Sequence, residues 1–454
     1  MLADRYGLPV STGSQAALDA YIAGADCLLS ATWGWREHLG GAIAADPALA
    51  LARIALARGL FLDADVKPAR EAAVRARVLA EKATPRERSH VNAIALAIEG
   101  KPVAALAATR EHLVLWPRDA MVLAPATGVF GLIGFSGRQG REAELHELLR
   151  ELAPHYGTDW WFACVHAFAA CECGKLDEAW QLIESSMSAN PRSAHGAHIR
   201  VHVLHERGEM ARIQDYLAQW MPAYDRRGLL HCHLSWHVAL TAMLLGDAER
   251  AWAAYRAAVH PGGSWGPPIN VVTDAASFLW RAELAGEPRR PGLWREVREH
   301  ALASFPAAGL SFADVHSALA CIADGDCASL ERLAGEMRRR LAAGRLPAGG
   351  VVPAIVEAFA AYASADWNAA IALLERSLPE TVRIGGSRAQ RDLVEHTLIA
   401  AYLKAGRPED ARRLVERRTD RRSAVRVAGF YGAGAVGIPG AARGNSGFGK
   451  KLSN

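Results

Sequence analysis

Along most of this chain apolar residues return every three to four positions, in stretches rich in Ala and Leu, and short polar turns interrupt them at a regular interval. The turns fall at Gly100-Lys101, Gly137 to Gly140, Gly174-Lys175, Gly208-Glu209, Gly246-Asp247, Gly286, Gly325-Asp326, Ala365-Asp366 and Gly406-Arg407, spaced 34 to 41 residues apart. An Ala-rich helix such as 160–173 precedes each turn, and a second helix opening like Leu176-Asp177-Glu178-Ala179-Trp180 follows it. Gly ends the first helix, and small Ala side chains let the two helices approach closely. The most regular units cover 159–190, 192–221, 229–260, 312–343, 352–378 and 387–418. Pro191, Pro222, Pro261 and Pro379 lie just past second helices, where a residue that cannot continue a helix marks the exit. Segments 16–30, 47–62 and 67–83 are helical by period but lack the same turn. The pattern predicts one all-α domain over residues 1–420, with about eight helix-turn-helix units. A single unit cannot bury its apolar stripe alone, so the units must stack into a continuous superhelix with a concave inner face.

At 454 residues the chain is too long for one ordinary core, and a stack of repeats removes that difficulty. The formal net charge is +4, and the last 34 residues alone hold six Arg and Lys with no Asp or Glu. The body is therefore close to neutral, with no basic stripe of the kind that marks a nucleic-acid binder. That tail, 421–454, also has eight glycines and no helical period, which predicts disorder. Seven cysteines (Cys27, Cys164, Cys171, Cys173, Cys232, Cys321 and Cys327) sit mostly inside helical stretches, so they read as reduced residues of a cytoplasmic protein. No basic region leads into an apolar run at the N-terminus, and no stretch of about 18 apolar residues occurs, so neither secretion nor membrane insertion is expected.

Several segments between about Asp46 and Arg413 carry a more specific pattern. They are Ala45-Asp46-Pro47 with Gly59-Leu60, Thr84-Pro85-Arg86-Glu87 with His90-Val91 and Ala93, and Trp116-Pro117-Arg118-Asp119-Ala120. To these are added His195 with Ala197-His198 and His202-Val203-Leu204, His233 with Trp236-His237 and Ala239-Leu240, and Gly385-Gly386-Ser387 with Ala389-Gln390-Arg391-Asp392. With them the chain resembles the tetratricopeptide repeat protein 38 family, within the tetratricopeptide-like superfamily. Arg388 departs from the pattern, which has a smaller residue or His there. The resemblance implies a closed or strongly curved tetratricopeptide-like superhelix in place of an open peptide groove.

The richest polar stretch is 193–206. At about 100° per residue His195, His198, His202 and His205 fall within about 80° of one another, so all four share one helix face. His233 and His237 repeat the spacing on the next first helix, beside Trp236, and the preceding one carries Trp161 and His166. First helices line the concave surface of such a solenoid, and three readings follow. The imidazoles can be satisfied by neighbouring carbonyls and carboxylates. They can line a ligand site, with Trp161, His166, His195, His198, His233, Trp236 and Gln390 binding a small polar or aromatic molecule or a short peptide. Or His198 and His202, at i and i+4, can chelate a divalent metal, provided another helix completes the shell.

An enzyme is the sharper alternative: a hydrolase or lyase with His202 or His237 as general base, Asp392, Asp274 or Glu206 as an orienting carboxylate and Arg391 as an anion clamp. It requires the superhelix to close, because Arg391 stands far from His202 in a straight solenoid. A protein–protein scaffold is the third class. Cys171-x-Cys173 with His166 lacks a second paired motif, His231-Cys232-His233 places adjacent side chains about 100° apart, and the remaining tryptophans and His316 read as core.

Overall fold

The structure is a computed structural model that describes residues 2–418 and 422–430. After a two-stranded hairpin (Leu2–Ala3 with Pro9–Val10), the first helices are Gln15–Ser30 (α1), Trp35–Ala45 (α2), Ala50–Leu62 (α3), Val66–Ala80 (α4), Pro85–Ile98 (α5), Pro102–Leu115 (α6) and Ala120–Leu123 (α7). The middle of the chain forms Arg141–Tyr156 (α8), Trp160–Glu172 (α9), Leu176–Ala189 (α10), Ala194–Glu206 (α11), Met210–Trp220 (α12), His231–Leu245 (α13) and Ala248–Ala258 (α14). The last helices are Pro268–Leu284 (α15), Pro291–Ser304 (α16), Ser311–Asp324 (α17), Cys327–Ala342 (α18), Val351–Ala363 (α19), Trp367–Ser377 (α20), Arg388–Lys404 (α21) and Pro408–Glu416 (α22). Among the described residues these form ten antiparallel pairs plus the short α7 and its neighbour α8, stacked as an all-α, tetratricopeptide-like superhelix.

The turn between paired helices has one recurring cause. Gly174, Gly208, Gly246 and Gly325 all adopt left-handed φ between 75° and 88°, and the next N–H returns to a carbonyl five residues back, as in Glu209 to Leu204 and Asp247 to Ala242 (both 2.9 Å). Such a bond satisfies carbonyls that the helix end leaves open. The α3–α4 pair turns instead on Ala64 at φ 64°, so it carries no Gly signal in the sequence. This is one reason the pairs outnumber the Gly-marked units.

The burial pattern shows which layer is inside. The second helices are amphipathic: α12 buries Met210, Ile213, Gln214 and Leu217 and leaves the rest of its surface more open. By contrast α21 is buried continuously from Ala389 to Tyr402, α9 from Trp161 to Glu172 and α15 from Asn270 to Ala282. A helix buried all round needs neighbours on every side. For α21 these include α11, α15, α19 and α20, so the superhelix closes on itself and the last first-layer helix packs against the middle of the chain. Arg141 of α8 seals the closure by donating to the carbonyls of Val382 (2.7 Å) and Gly386 (2.8 Å).

The Gly385-Gly386-Ser387 motif is what the seam requires. Gly385 and Gly386 both have positive φ and lie against the rings of Phe135 and Phe312, so close that a Cβ would collide. Ser387 then caps α21 reciprocally with Gln390. In the N-terminal half, Arg86, His90 and His112 converge on the buried carboxylate of Asp119, so two more of the motifs noted above meet in one network.

Residues 422–430 belong to the stretch expected to lack order, yet they run extended across three successive turns. The N–H of Arg422 donates to the carbonyl of Glu206 and that of Ala428 to Leu284, both at 2.8 Å. Residues 431–454 of the predicted tail lie outside the described residues. No helix among the described residues is long and apolar enough to cross a membrane.

Candidate functional site

Closure places two polar sites next to each other. The first is a cleft of about 750 Å³ between α8, α9 and α21, lined among others by Glu142, His146, Glu172, Arg388, Arg391, Asp392 and Glu395. Arg391 stands at its centre. Its Nη2 donates to Glu142 Oε1 at 2.5 Å, its Nη1 bonds the carbonyl of Gly386, and Glu172 Oε2 lies 3.7 Å away. Glu172 accepts the backbone N–H of Arg388 (3.0 Å), the first residue of α21. Arg418 pairs with Asp392 (3.5 Å) and Glu395 (3.3 Å) from the other side.

The two carboxyls flanking Arg391 are driven apart in acidity. Burial pushes Glu172 up, and the nearby Glu142 and Glu206 push the same way against Arg391 and Arg141. Burial also acts on Glu142, but Arg391 and Arg141 outweigh it and hold that carboxyl below the usual range. Two carboxyls whose acidities are pushed in opposite directions thus share one guanidinium.

The second site is a group of four imidazoles in the wall beside the cleft. His198 and His202 of α11 meet His233 and His237 of α13, with one ring nitrogen of each within 4.8 Å of the others. All four are buried. His198 Nε2 and His202 Nε2 are 2.8 Å apart, and His233 Nδ1 lies 2.7 Å from Asp274 Oδ2 of α15. Phe168 of α9 covers one side, and Trp236 stacks on His233. Burial and the neighbouring imidazoles hold His198, His202 and His237 well below the usual histidine range, so these rings are neutral near pH 7.

The other expected site residues are distributed around these centres. The four histidines of α11 share a face, but ten residues of helix span about 15 Å. His195 therefore reaches the carbonyl of Leu29 in α1, while His205 at the other end lies 3.9 Å from Asp392. His166 turns toward His146 and Glu178 of α10. Trp161 is buried in the N-terminal core beside Tyr156 and does not line the cleft. Gln390 lies against Asp274, so α21 touches both sites: Gln390 faces the imidazole side, and Arg391 and Asp392 face the cleft.

Glu142, Glu172, Arg388 and Glu395 were not singled out as a site in the sequence reading. Glu142 and Glu172 lie more than 200 residues from Arg391 in the chain, and ordinary helix-surface carboxylates look the same until closure brings them together.

No protein-family model matches the chain. Among solved structures it is similar to a chain in the structure of Naa15/Naa10 bound to HypK-THB, at 14% identity and a TM-score of 0.24, over 88% of this chain. The match covers 63% of that chain, so this protein spans less than two thirds of its length.

Proposed function

We propose that this helical-repeat protein, a cytoplasmic relative of the tetratricopeptide repeat protein 38 family, binds a small polar ligand bearing both an anionic and a cationic group, such as an amino acid or a peptide end. One observation carries the reading: closure gathers Arg388 and Arg391 with Glu142, Glu172, Asp392 and Glu395 around one cleft. Polar groups of both signs, mostly withdrawn from water, suit a zwitterion better than an apolar molecule, because each ligand charge meets a preformed partner. The family assignment rests on its motifs, several of which lie at the seam, in the four-imidazole group and in the Asp119 network.

Calorimetric titration of the full chain with free amino acids, dipeptides, acetate and alkylamines tests it. The zwitterions are expected to bind, the singly charged probes to bind at least about tenfold more weakly, and Glu142→Gln to remove the preference, since losing one charged partner of a buried pair exceeds about 1.4 kcal/mol. Equal heats for all four classes, or none with any, would overturn it.

A second reading, a hydrolase or lyase, is favoured by the divergent acidities of Glu142 and Glu172. In that case the carboxyl pair at the cleft supplies the acid and base, and the buried His202 and His237 do not.

A further inference from the structure

The geometry points to a metal site in the four-histidine group: His198, His202, His233 and His237 bind one divalent first-row transition ion, with zinc the best match. The inference stands apart from the ligand reading, because none of the four lines the cleft.

The case begins with the donors. A neutral imidazole offers one lone pair and one N–H. His237 is fully buried and neither of its ring nitrogens has a hydrogen-bond partner, while His198 Nε2 and His202 Nε2 face each other at 2.8 Å. Leaving buried polar atoms unmet is costly. Four lone pairs converging on one point are satisfied together by a cation.

Spacing agrees with that count. Metal–nitrogen bonds of about 2.0–2.1 Å put every pair of donors in a tetrahedral shell about 3.3–3.4 Å apart. The four nitrogens all lie within 4.8 Å of one another, so a pair at that limit must close by about 1.4 Å, a movement that rotation of the imidazoles about their side-chain bonds can supply.

The surroundings match as well. Asp274 accepts from His233 Nδ1 at 2.7 Å, which fixes the ring and leaves Nε2 as its metal-facing atom. The same carboxylate lies beside the ion's charge. All-imidazole donors select zinc, copper, nickel or iron over magnesium and calcium, which prefer oxygen. Four protein ligands fill a tetrahedral zinc shell and leave no position for a reacting water, so the ion clamps α11 to α13 and is structural.

The competing cluster is His146, His166 and Glu178, near the cleft mouth. Full-length protein as isolated is assayed for metal by plasma mass spectrometry, then stripped with chelator and titrated with Co²⁺. The expected result is one ion per chain and a visible ligand-field band without a thiolate charge-transfer band. His146→Gln/His166→Gln should keep the ion, and His202→Gln/His237→Gln should lose it. Absence of the band in folded wild-type protein overturns the proposal without any variant, and so does loss of the ion in His146→Gln/His166→Gln with retention in His202→Gln/His237→Gln.

Discussion

Replacing Asp119 with Ala should be among the most damaging single changes in the N-terminal half. Its carboxylate accepts from Arg86 Nη1 at 2.7 Å and meets His90 Nδ1 at 2.9 Å and His112 Nε2 at 3.2 Å, all buried. Removing it leaves Arg86, a residue 4% exposed, with the carbonyl of Pro9 as a hydrogen-bond partner and only the more distant charge of Asp4 to balance it. Breaking a buried pair by removing one partner costs up to about 3–5 kcal/mol. Burial opposes the ionised form of Asp119, but His90, His112 and Arg86 outweigh it and hold the carboxyl well below its usual range. The stabilisation is therefore complete above the unfolded value of about 3.9 and is lost as pH falls through the folded one. Urea unfolding at neutral pH, followed by hydrogen exchange across 85–123, measures the effect where a repeat stack opens locally. The decisive comparison is Asp119→Ala/Arg86→Met, which removes both charges and should recover much of the loss, because an apolar replacement of a buried pair is often nearly neutral. A double variant as unstable as the sum of the two single ones would refute the argument that the orphaned charge is what matters.

Three further outcomes follow from the same structure. Burial raises Asp314 to about 6, so the stability tied to its proton is complete below about pH 4 and lost as pH rises through about 6. Asp314→Asn should flatten that slope, worth on the order of 2 kcal/mol, between urea midpoints at about pH 4.5 and about pH 7. Gly208→Ala places a Cβ 2.5 Å from the carbonyl of Arg422 at φ 78°, so the 422–430 segment must lift, and trypsin should cut between Arg418 and Arg426 faster than in wild type. Ser387→Ala removes the side chain that accepts the Gln390 N–H and should cost about 1 kcal/mol in thermal unfolding.

The repeat architecture was legible because one physical requirement recurs: a left-handed residue must end each first helix, and Gly meets it most cheaply. Where Ala64 takes that conformation instead, the signal vanishes although the turn remains. The shared face of His198 and His202 was legible for an equally local reason, since helical geometry alone sets it. Their meeting with His233 and His237 depends on the register between α11 and α13, which no spacing within either helix determines.

Closure was expected only through the family resemblance, which implied a closed or strongly curved superhelix; nothing in the spacing of the residues themselves gave it. Arg391 reads in the sequence as an anion clamp only if the superhelix closes, and Glu142 and Glu172 read as the solvated faces of distant helices. What joins them is the summed rotation of the repeats from α8 to α21, a small angle per repeat accumulated over more than 200 residues. The residues that do announce the seam are those with no tolerance for substitution: Gly385 and Gly386, which face Phe135 and Phe312 too closely for any side chain. A sequence therefore reveals such a cleft through the backbone constraints at its hinge before it reveals the charges that line it.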